Sequence, residues 1–293
     1  MAHNKKSNFD IEIIKKLVVI ALTSDDIFMA LLVLKGGNAL QLGYEITNRG
    51  SVDIDFSIEG DFSEEELNRM KNQAEHLLNH HFAPEGFFVF DVRFQNRPEF
   101  IKDEVKDFWG GYSLYFKVAP IEIKDEPIET LRREALVVGE NQVKKFYVDI
   151  SKYEFVTAAS KKDIGGAIIR IYSPEMLAIE KLRALCQQTD EYKSVVGSFT
   201  QKSRARDFFD IYNLTEQFKI DPLLSENKNL AMAIFDAKHV PYNYINNLPN
   251  YRELHRNSWE SVTNSIGAKE SIKEFDFYFD YVISVYSKLL TNP

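Results

Sequence analysis

Apolar and polar residues alternate along the segment SVDIDFSI, residues 51–58. Successive side chains of a β-strand point to opposite faces, so Ser51, Asp53, Asp55 and Ser57 are predicted to share one face and the apolar residues the other. Runs rich in aromatic and β-branched residues at 87–95, 112–118 and 144–151 predict three further strands. The pattern therefore indicates a sheet in the first half of the chain.

Helical spacing of apolar residues appears before, between and after these strands. It covers residues 11–22 and 63–78, where Ser63 and Glu66 occupy the positions of a capping box. The segment SPEMLAIEKLRALCQQ opens with Ser173 as N-cap and Pro174 at the first helical position, and the chain beyond it reads as mostly helical. We therefore predict an α+β domain over residues 1–165, with a mixed sheet flanked by helices, and a mostly helical C-terminal domain over residues 166–293.

A glycine pair follows the short buried run LLVL and precedes the predicted short helix NALQLGY, for which Asn38 would be the N-cap. Backbone N–H groups of Gly36, Gly37 and Asn38 could point at an anion, as they do in phosphate-binding turns. A simple tight turn would have the same residues. The sequence leaves both interpretations open.

Two like charges on one strand face, Asp53 and Asp55, repel each other unless a cation lies between them. Carboxylate oxygens are ligands that Mg²⁺ prefers, and Asp149, in the predicted strand KKFYVDIS, could supply a third. The alternative is an acidic strand face in contact with water. A phosphate-binding turn beside a metal-binding acid pair would hold a nucleoside triphosphate (NTP) with its metal.

Lys181 is predicted to emerge from an apolar helix face, between Leu177 and Leu185 at i−4 and i+4. Such a lysine reaches water or meets a carboxylate or a phosphate. In RARDFFDIYNL, Asp207 and Asp210 share a helical face with apolar residues. Contact with Lys181 would satisfy all three charges.

Composition limits the class of protein. The chain has 293 residues, of which 44% are apolar and 27% charged, as in a soluble globular protein. Its net charge of −8 argues against a general nucleic-acid coat, although the basic run KSVVGSFTQKSRAR, residues 193–206, could contact phosphates locally. The longest apolar run is too short to cross a membrane, no secretion signal is evident, and the single Cys186 fits a reducing interior, so we expect a cytoplasmic protein.

Three sequence blocks resemble a known family. KGGNAL followed by R-x-S-x-DIDF, then EKLRAL, then RDFFDIYNL occur in that order over residues 35–214. They closely resemble the AbiEii/AbiGii toxin family of nucleotidyltransferases, which includes the MenT toxins. The resemblance implies a nucleotidyltransferase-type fold like that of DNA polymerase β, followed by a helical domain that contributes to the active-site cleft.

The resemblance also assigns roles to residues. Mg²⁺ or Mn²⁺ would be held by Asp53 and Asp55, with Asp149 as the third ligand predicted from the strand pattern. Catalysis would depend on Asp53, Asp55, Lys181 and Asp207. Nucleotide binding is expected of a larger set: Lys35, Gly36, Gly37, Asn38, Arg49, Ser51, Lys181 and Asp210.

The implied reaction moves a nucleoside monophosphate (NMP) from an NTP to RNA, with the 3′ end of a tRNA as the expected acceptor, and so stops translation. The chain would be the toxin of a toxin–antitoxin or abortive-infection system, with a cognate antitoxin encoded nearby as an expected partner and no membrane partner. Three alternatives stay open: transfer to a protein or an aminoglycoside, a non-catalytic nucleotide sensor, and a phosphotransferase that releases a nucleoside diphosphate.

Overall fold

Seven strands form one mixed sheet in a computed structural model that describes residues 10–46, 53–138, 142–197, 200–266 and 272–290. The spatial order is β3–β4–β5–β2–β1–β7–β6. The strands are β1 (Val33–Lys35), β2 (Ile54–Ser57), β3 (Phe87–Arg97), β4 (Gly111–Pro120), β5 (Phe146–Ser151), β6 (Ser160–Ile164) and β7 (Ala167–Ile171).

Helices precede, interrupt and follow the strands. The N-terminal half holds α1 (Ile11–Thr23), α2 (Asp26–Leu31), α3 (Gly36–Asn38), α4 (Glu64–Phe82) and α5 (Ile128–Glu134). The rest are α6 (Pro174–Cys186), α7 (Ala205–Phe218), α8 (Ser225–Asp236), α9 (Arg252–Arg256), α10 (Trp259–Ser265) and α11 (Phe275–Tyr286). The predicted α+β sheet with flanking helices, followed by a helical C-terminal part, is confirmed.

The central strands come from distant parts of the chain. Strand β2 pairs antiparallel with β1 and parallel with β5, and β1 pairs parallel with β7. Strands β4 and β3 extend the sheet on one side through antiparallel pairs. This arrangement brings residues near positions 35, 55 and 149 side by side.

Helix α4 covers one face of the sheet. The Phe82 ring at its end contacts Phe116 of β4 edge to face, and the Phe116 ring stacks on Phe146 of β5. Side chains at alternate positions of β4 and β5, including Tyr115 and Asp149, therefore point to the other face. The predicted capping box is present at the start of α4, where Ser63 is the N-cap and Glu66 the third helical residue.

The structure contains elements that the sequence pattern did not predict, among them α2, α5 and β6, and it also differs at Asn38. Asn38 is not an N-cap, because the helix begins at Gly36, and it continues as a π-helical turn, Ala39–Gly43. Strand β6 was not predicted, because it is an edge strand in which Lys161, Lys162 and Asp163 are exposed and only Ile164 is buried.

Most buried apolar residues of the sheet and of the C-terminal helices form one continuous core, and a small second cluster joins α5 to β3 and β4. The predicted domain boundary near Gly165 falls in the turn between β6 and β7, and the division into two domains stays a prediction. Within the described part of the chain, no helix has both the length and the apolar character needed to span a bilayer.

Candidate active site

Four polar side chains lie in one row across the centre of the sheet. Lys35 of β1 is opposite Asp55 of β2, Asp55 is opposite Asp149 of β5, and Asp149 is opposite Ser113 of β4. Neighbouring strands lie about 4.8 Å apart, and residues directly opposite one another share a face. The sheet register thus brings the predicted residues Lys35, Asp55 and Asp149 together.

Gly36 lets the chain pass close to Asp55. Its φ of +68° lies in the left-handed region, which favours glycine. A Cβ atom at this position would lie 2.4 Å from Asp55 Oδ2 and 3.2 Å from Asp55 Cβ. Only glycine fits both the backbone conformation and the space beside the carboxylate.

Asn38 joins this turn to the start of β2. Its buried side chain donates a hydrogen bond from Nδ2 to the backbone carbonyl of Asp53, at 2.6 Å. The bond fixes the backbone at Asp53, whose exposed side chain precedes the strand. Asn38 therefore positions the acid pair rather than capping a helix.

The pKa of the Asp55 carboxyl group bears on whether a cation can bind beside it. Burial raises the pKa to about 6, Lys35 opposes the rise, and the negative charges of Glu180 and Asp53 add to it. A carboxylate in this environment is stabilised by a further positive charge. Asp55 fits a cation ligand.

Asp149 has one carboxylate oxygen in an ion pair and one without. Its Oδ2 contacts Arg97, whereas its Oδ1 is buried and accepts no hydrogen bond from the described residues. A buried oxygen without a partner is costly unless a ligand reaches it. The atom lies on the same sheet face as Asp55.

Hard oxygen donors of this kind fit Mg²⁺ or Mn²⁺. Among the described residues, no group of three or more His, Cys, Asp or Glu side chains is arranged to hold a metal ion. Mg²⁺ is commonly bound by one or two carboxylates together with substrate phosphates. The predicted metal ligands Asp53, Asp55 and Asp149 stay a prediction.

A cleft of about 500 Å³ opens above the row. Its described lining includes four carboxylates, those of Asp55, Asp149, Glu154 and Glu180. It also includes six cationic side chains: Lys35, Arg97, Arg183, Lys202, Arg204 and Lys238. The excess of cations suits an anionic ligand such as a triphosphate.

Glu154 is the centre of a buried charge network beneath the cleft. Its carboxylate contacts Lys35 at 3.2 Å, Arg183 at 3.3 Å and Lys238 at 3.6 Å. Burial alone would raise the pKa of Glu154, but Lys35, Arg183 and Lys238 outweigh it and lower the pKa to about 2. The network joins β1 to α6 and to the chain after α8.

The cations of this network respond differently to burial. For Lys35 the carboxylates of Glu154 and Glu180 outweigh burial and raise the pKa. For Lys238 burial dominates and lowers the pKa to about 8, although Glu154 opposes it. Arg183 also donates to Glu180 at 3.1 Å.

Sequence reasoning missed four residues of this network. Glu180 and Arg183 flank Lys181 in the block EKLRAL, so that block carried a signal for them. Glu154 and Lys238 lie outside any motif, after β5 and after α8 respectively, and only the fold brings them together.

Lys181 joins α6 to α7. Its ammonium donates to Asp207 at 3.0 Å and to Asp210 at 2.7 Å, which is the contact that the sequence suggested. Arg204 contacts Asp207 at 2.5 Å. Burial would raise the pKa of Asp207, but Arg204 and Lys181 lower it to about 2.

The remaining predicted site residues are placed as follows. Gly37 follows Gly36 in the first turn of α3, and in the basic run Lys202 and Arg204 line the cleft. Arg49 and Ser51 lie outside the described residues. Catalytic, nucleotide-binding and metal-binding roles of all these residues stay predictions.

One solved structure agrees with the fold over nearly the whole chain. The chain is similar over 97% of its length to the crystal structure of a candidate nucleotidyltransferase from H. pylori, with 97% of that chain covered, a TM-score of 0.50 and 19% identity. A nucleotidyltransferase-like antigenic protein from Paracoccidioides brasiliensis matches over 83% of this chain and 92% of its own, with a TM-score of 0.33 and 14% identity. No curated protein matches.

A family model matches most of the chain. It covers residues 20–281 and describes the nucleotidyl transferase AbiEii toxin of type IV toxin–antitoxin systems. The match includes every described residue of the row, the cleft and the Lys181 contacts. The chain therefore belongs to the AbiEii nucleotidyltransferase toxin family.

Proposed function

We propose that this enzyme transfers an NMP from an NTP to RNA, at the 3′ end of a tRNA, in a metal-dependent reaction. The observation that carries the proposal is the in-register placement of Asp55 and Asp149 below a cleft rich in cations. Modified tRNA would no longer support translation in the cytoplasm, which accounts for toxicity. The family description implies an antitoxin partner, which we propose is encoded nearby and prevents this effect.

The residues around Gly36 would bind the donor. Lys35 and the backbone of Gly36, Gly37 and Asn38 lie beside Asp55, where the triphosphate is expected. Asp53, Asp55 and Asp149 would hold Mg²⁺ or Mn²⁺, which when bound neutralises charge on the phosphates. Arg49 and Ser51 are proposed to complete the nucleotide site.

Helices α6 and α7 would supply the far wall. Lys181 and Asp210 are proposed to contact the nucleotide, with Asp207 holding Lys181 in position. Arg183 and Lys238 stand at the cleft with their charges balanced by Glu154. Their positive charge favours the triphosphate and the pyrophosphate that leaves.

The bond changes are those of in-line displacement. An RNA hydroxyl oxygen attacks the α-phosphorus, forming a new P–O bond. The bond from the α-phosphorus to the bridging oxygen breaks, and pyrophosphate leaves. The hydroxyl proton passes to water. Lys202 and Arg204, at the cleft in the basic run, are where acceptor phosphates would bind.

A labelling assay tests the proposal. Purified protein receives Mg²⁺, each α-³²P-labelled NTP in turn and total tRNA, beside the Asp55→Asn and Asp149→Asn variants. We expect one nucleotide to label tRNA, and each variant to lose at least about 100-fold in rate, as expected when transition-state stabilisation is removed. Asp125→Asn, which changes an exposed aspartate in a turn away from the cleft, is the matched control.

The other outcomes identify the alternatives. Label on protein would replace the RNA acceptor by a protein hydroxyl. Label retained in a nucleoside diphosphate would indicate transfer of the terminal phosphate. NTP binding without any turnover would favour a nucleotide sensor and overturn the enzyme reaction.

A further inference from the structure

The sheet face that carries Asp149 continues beyond it with partly exposed side chains, apart from Ser113, which is buried. Ser113, Tyr115 and Lys117 of β4 and Tyr147 of β5 occupy the same face by the alternation of strand side chains. Tyr115 and Tyr147 are half-buried opposite one another, with ring centroids 6.2 Å apart. Helix α4 packs on the opposite face, so it does not cover these rings.

A second cleft of about 440 Å³ lies next to the first along this face. The two clefts share Asp149, Arg97 and Pro98, and the second is also lined by Asp53 and Tyr147. Asp149 therefore stands between two spaces. The first space has the excess of cations that suits an NTP, and the second adjoins it at Asp149.

A smaller pocket of about 190 Å³ follows at the far end of the face. Its described lining is Asp91, Arg93, Tyr115, Lys117, Arg132 and Lys145, which we call the basic sheet pocket. Asp91 accepts hydrogen bonds from Lys117 at 2.9 Å and from Arg132 at 2.9 Å. Four cations thus surround one carboxylate, and Arg93 and Lys145 are exposed.

We propose that this face binds the single-stranded 3′ end of the acceptor RNA, with the terminal nucleotide in the second cleft, a base against Tyr147 and Tyr115, and an upstream phosphate in the basic sheet pocket. The proposal rests on the function proposed above and adds the route of the acceptor. Aromatic rings beside cations are the combination that binds single-stranded nucleic acid, because bases stack and phosphates pair.

The distance along β5 and the charge of the basic sheet pocket agree with this occupant. Four residues separate Asp149 from Lys145, or roughly 13 Å along a strand at about 3.3 Å per residue. Stacked nucleotides at about 3.4 Å would place about four of them on this path. The pocket is a local positive site on a chain of net charge −8, which a polyanion recognises.

Kinetics of the full-length protein test the face. The double variant Arg93→Ala/Lys145→Ala leaves the ion pairs of Asp91 with Lys117 and Arg132 in place, although it removes the Lys145 ammonium that lies 4.9 Å from the centroid of the Tyr115 ring. We expect its KM for RNA to rise about tenfold, with unchanged kcat at saturating RNA and unchanged KM for NTP. The dependence of log KM on log salt should weaken by about 0.7 for each RNA phosphate that the variant no longer binds. Lys71→Ala/Lys161→Ala removes the same charge from exposed positions elsewhere and should change neither value.

Two variants of Tyr147 distinguish the loss of base stacking from a general loss of folding. Tyr147→Leu keeps an apolar side chain on the strand but removes the ring, and we expect a five- to 100-fold rise in the KM for RNA because a base can no longer stack there. Tyr147→Phe keeps the ring and should restore the wild-type KM. The proposed route would be overturned if Tyr147→Phe and Tyr147→Leu had the same KM for RNA. It would also be overturned if Arg93→Ala/Lys145→Ala left that KM unchanged.

Binding measured without turnover distinguishes this proposal from the reaction itself. A fluorescein-labelled single-stranded oligoribonucleotide should bind wild type and Asp55→Asn with equal affinity, and the Arg93→Ala/Lys145→Ala variant about tenfold more weakly. The unlabelled single strand should displace this probe better than a blunt RNA duplex does. If tRNA is labelled but these variants bind and react as wild type, the route is wrong and nucleotidyl transfer stands. If RNA binds as described but no nucleotide is transferred, the face stands and the reaction is wrong. Preference for the duplex would also contradict the single-strand route.

Discussion

Gly36 shows how much of the site depends on one missing side chain. Its positive φ and the 2.4 Å approach of a hypothetical Cβ to Asp55 Oδ2 are two separate constraints at one residue. We expect Gly36→Ala to lose about 1–2 kcal/mol in the free energy of unfolding from the left-handed backbone. We also expect a loss on the order of 100-fold in transfer rate, because the Asp55 carboxylate must move.

Gly86 offers a matched control for this prediction. It has a φ of +79°, but no described atom lies within 4 Å of where its Cβ would be. Gly86→Ala should show a similar loss of stability in urea unfolding and transfer at the wild-type rate. Equal activity of the two alanine variants would mean that the contact with Asp55 does not position the carboxylate.

At the residue scale, strand alternation predicted that Asp55 and Asp149 lie on polar strand faces, and the resemblance added Lys35. The helical pattern alone predicted the contacts of Lys181 with the two aspartates of α7. Neither the local sequence pattern nor the resemblance could reveal Glu154 or Lys238, because their partners are distant in sequence and no motif surrounds them. The ordinary helix-cap pattern also misled at Asn38, whose side chain bonds to the backbone of Asp53 instead. Residues that act through long-range contacts need the fold.

Helices α6 and α7 meet through the charges of Lys181, Asp207 and Asp210. Lys181→Met leaves the two carboxylates without this cation, and we expect it to lose about 3–5 kcal/mol in the free energy of unfolding. Lys181→Met/Asp210→Asn removes one charge of each sign and keeps the ion pair of Arg204 with Asp207. We expect this double variant to recover most of the stability, as measured by urea unfolding.

Activity of the stable double variant tests the proposed phosphate contact. We expect it to transfer at least about tenfold more slowly than wild type, because the cation that we propose to contact the nucleotide has been removed. Wild-type activity in a double variant with restored stability would make Lys181 a purely structural link between α6 and α7.

Elements with strong local patterns were predictable from the sequence. The capping box of α4, the Ser173 cap of α6 and the aromatic-rich strands all depend on neighbouring residues. Strand β6 was not predictable in this way, because an exposed edge strand has little apolar pattern and its pairing with β7 gives it its structure. The order of strands in the sheet also lies beyond local pattern.

For the whole molecule, the Glu154 network holds the sheet against the C-terminal helices, and its pH response can be measured. The pKa of Lys238 is lowered by burial to about 8, from an ordinary value of 10.5. Between these values the unfolded chain binds a proton that the folded protein lacks, so the contribution of Lys238 to stability rises with pH.

We expect the difference in free energy of unfolding between wild type and Lys238→Met to increase by about 3 kcal/mol in favour of wild type from pH 8 to pH 10.5. Urea unfolding of both proteins across this range measures it. Subtracting the free energy of unfolding of Lys238→Met from that of wild type removes the contribution of the other titrating groups. A constant difference would show that Lys238 keeps its ordinary pKa in the folded protein.

The order in which the site's charges occur along the chain matters during protein synthesis. Lys35, Asp55, Asp149 and Glu154 leave the ribosome early, whereas Arg183, Arg204 and Lys238 follow up to about 80 residues later. At about 5–20 residues per second, a ribosome takes several seconds to add the missing cations. During that time the nascent chain holds Glu154 with Lys35 but without Arg183 and Lys238, so a cell that translates this toxin does not meet an assembled cleft until most of the polypeptide has been made.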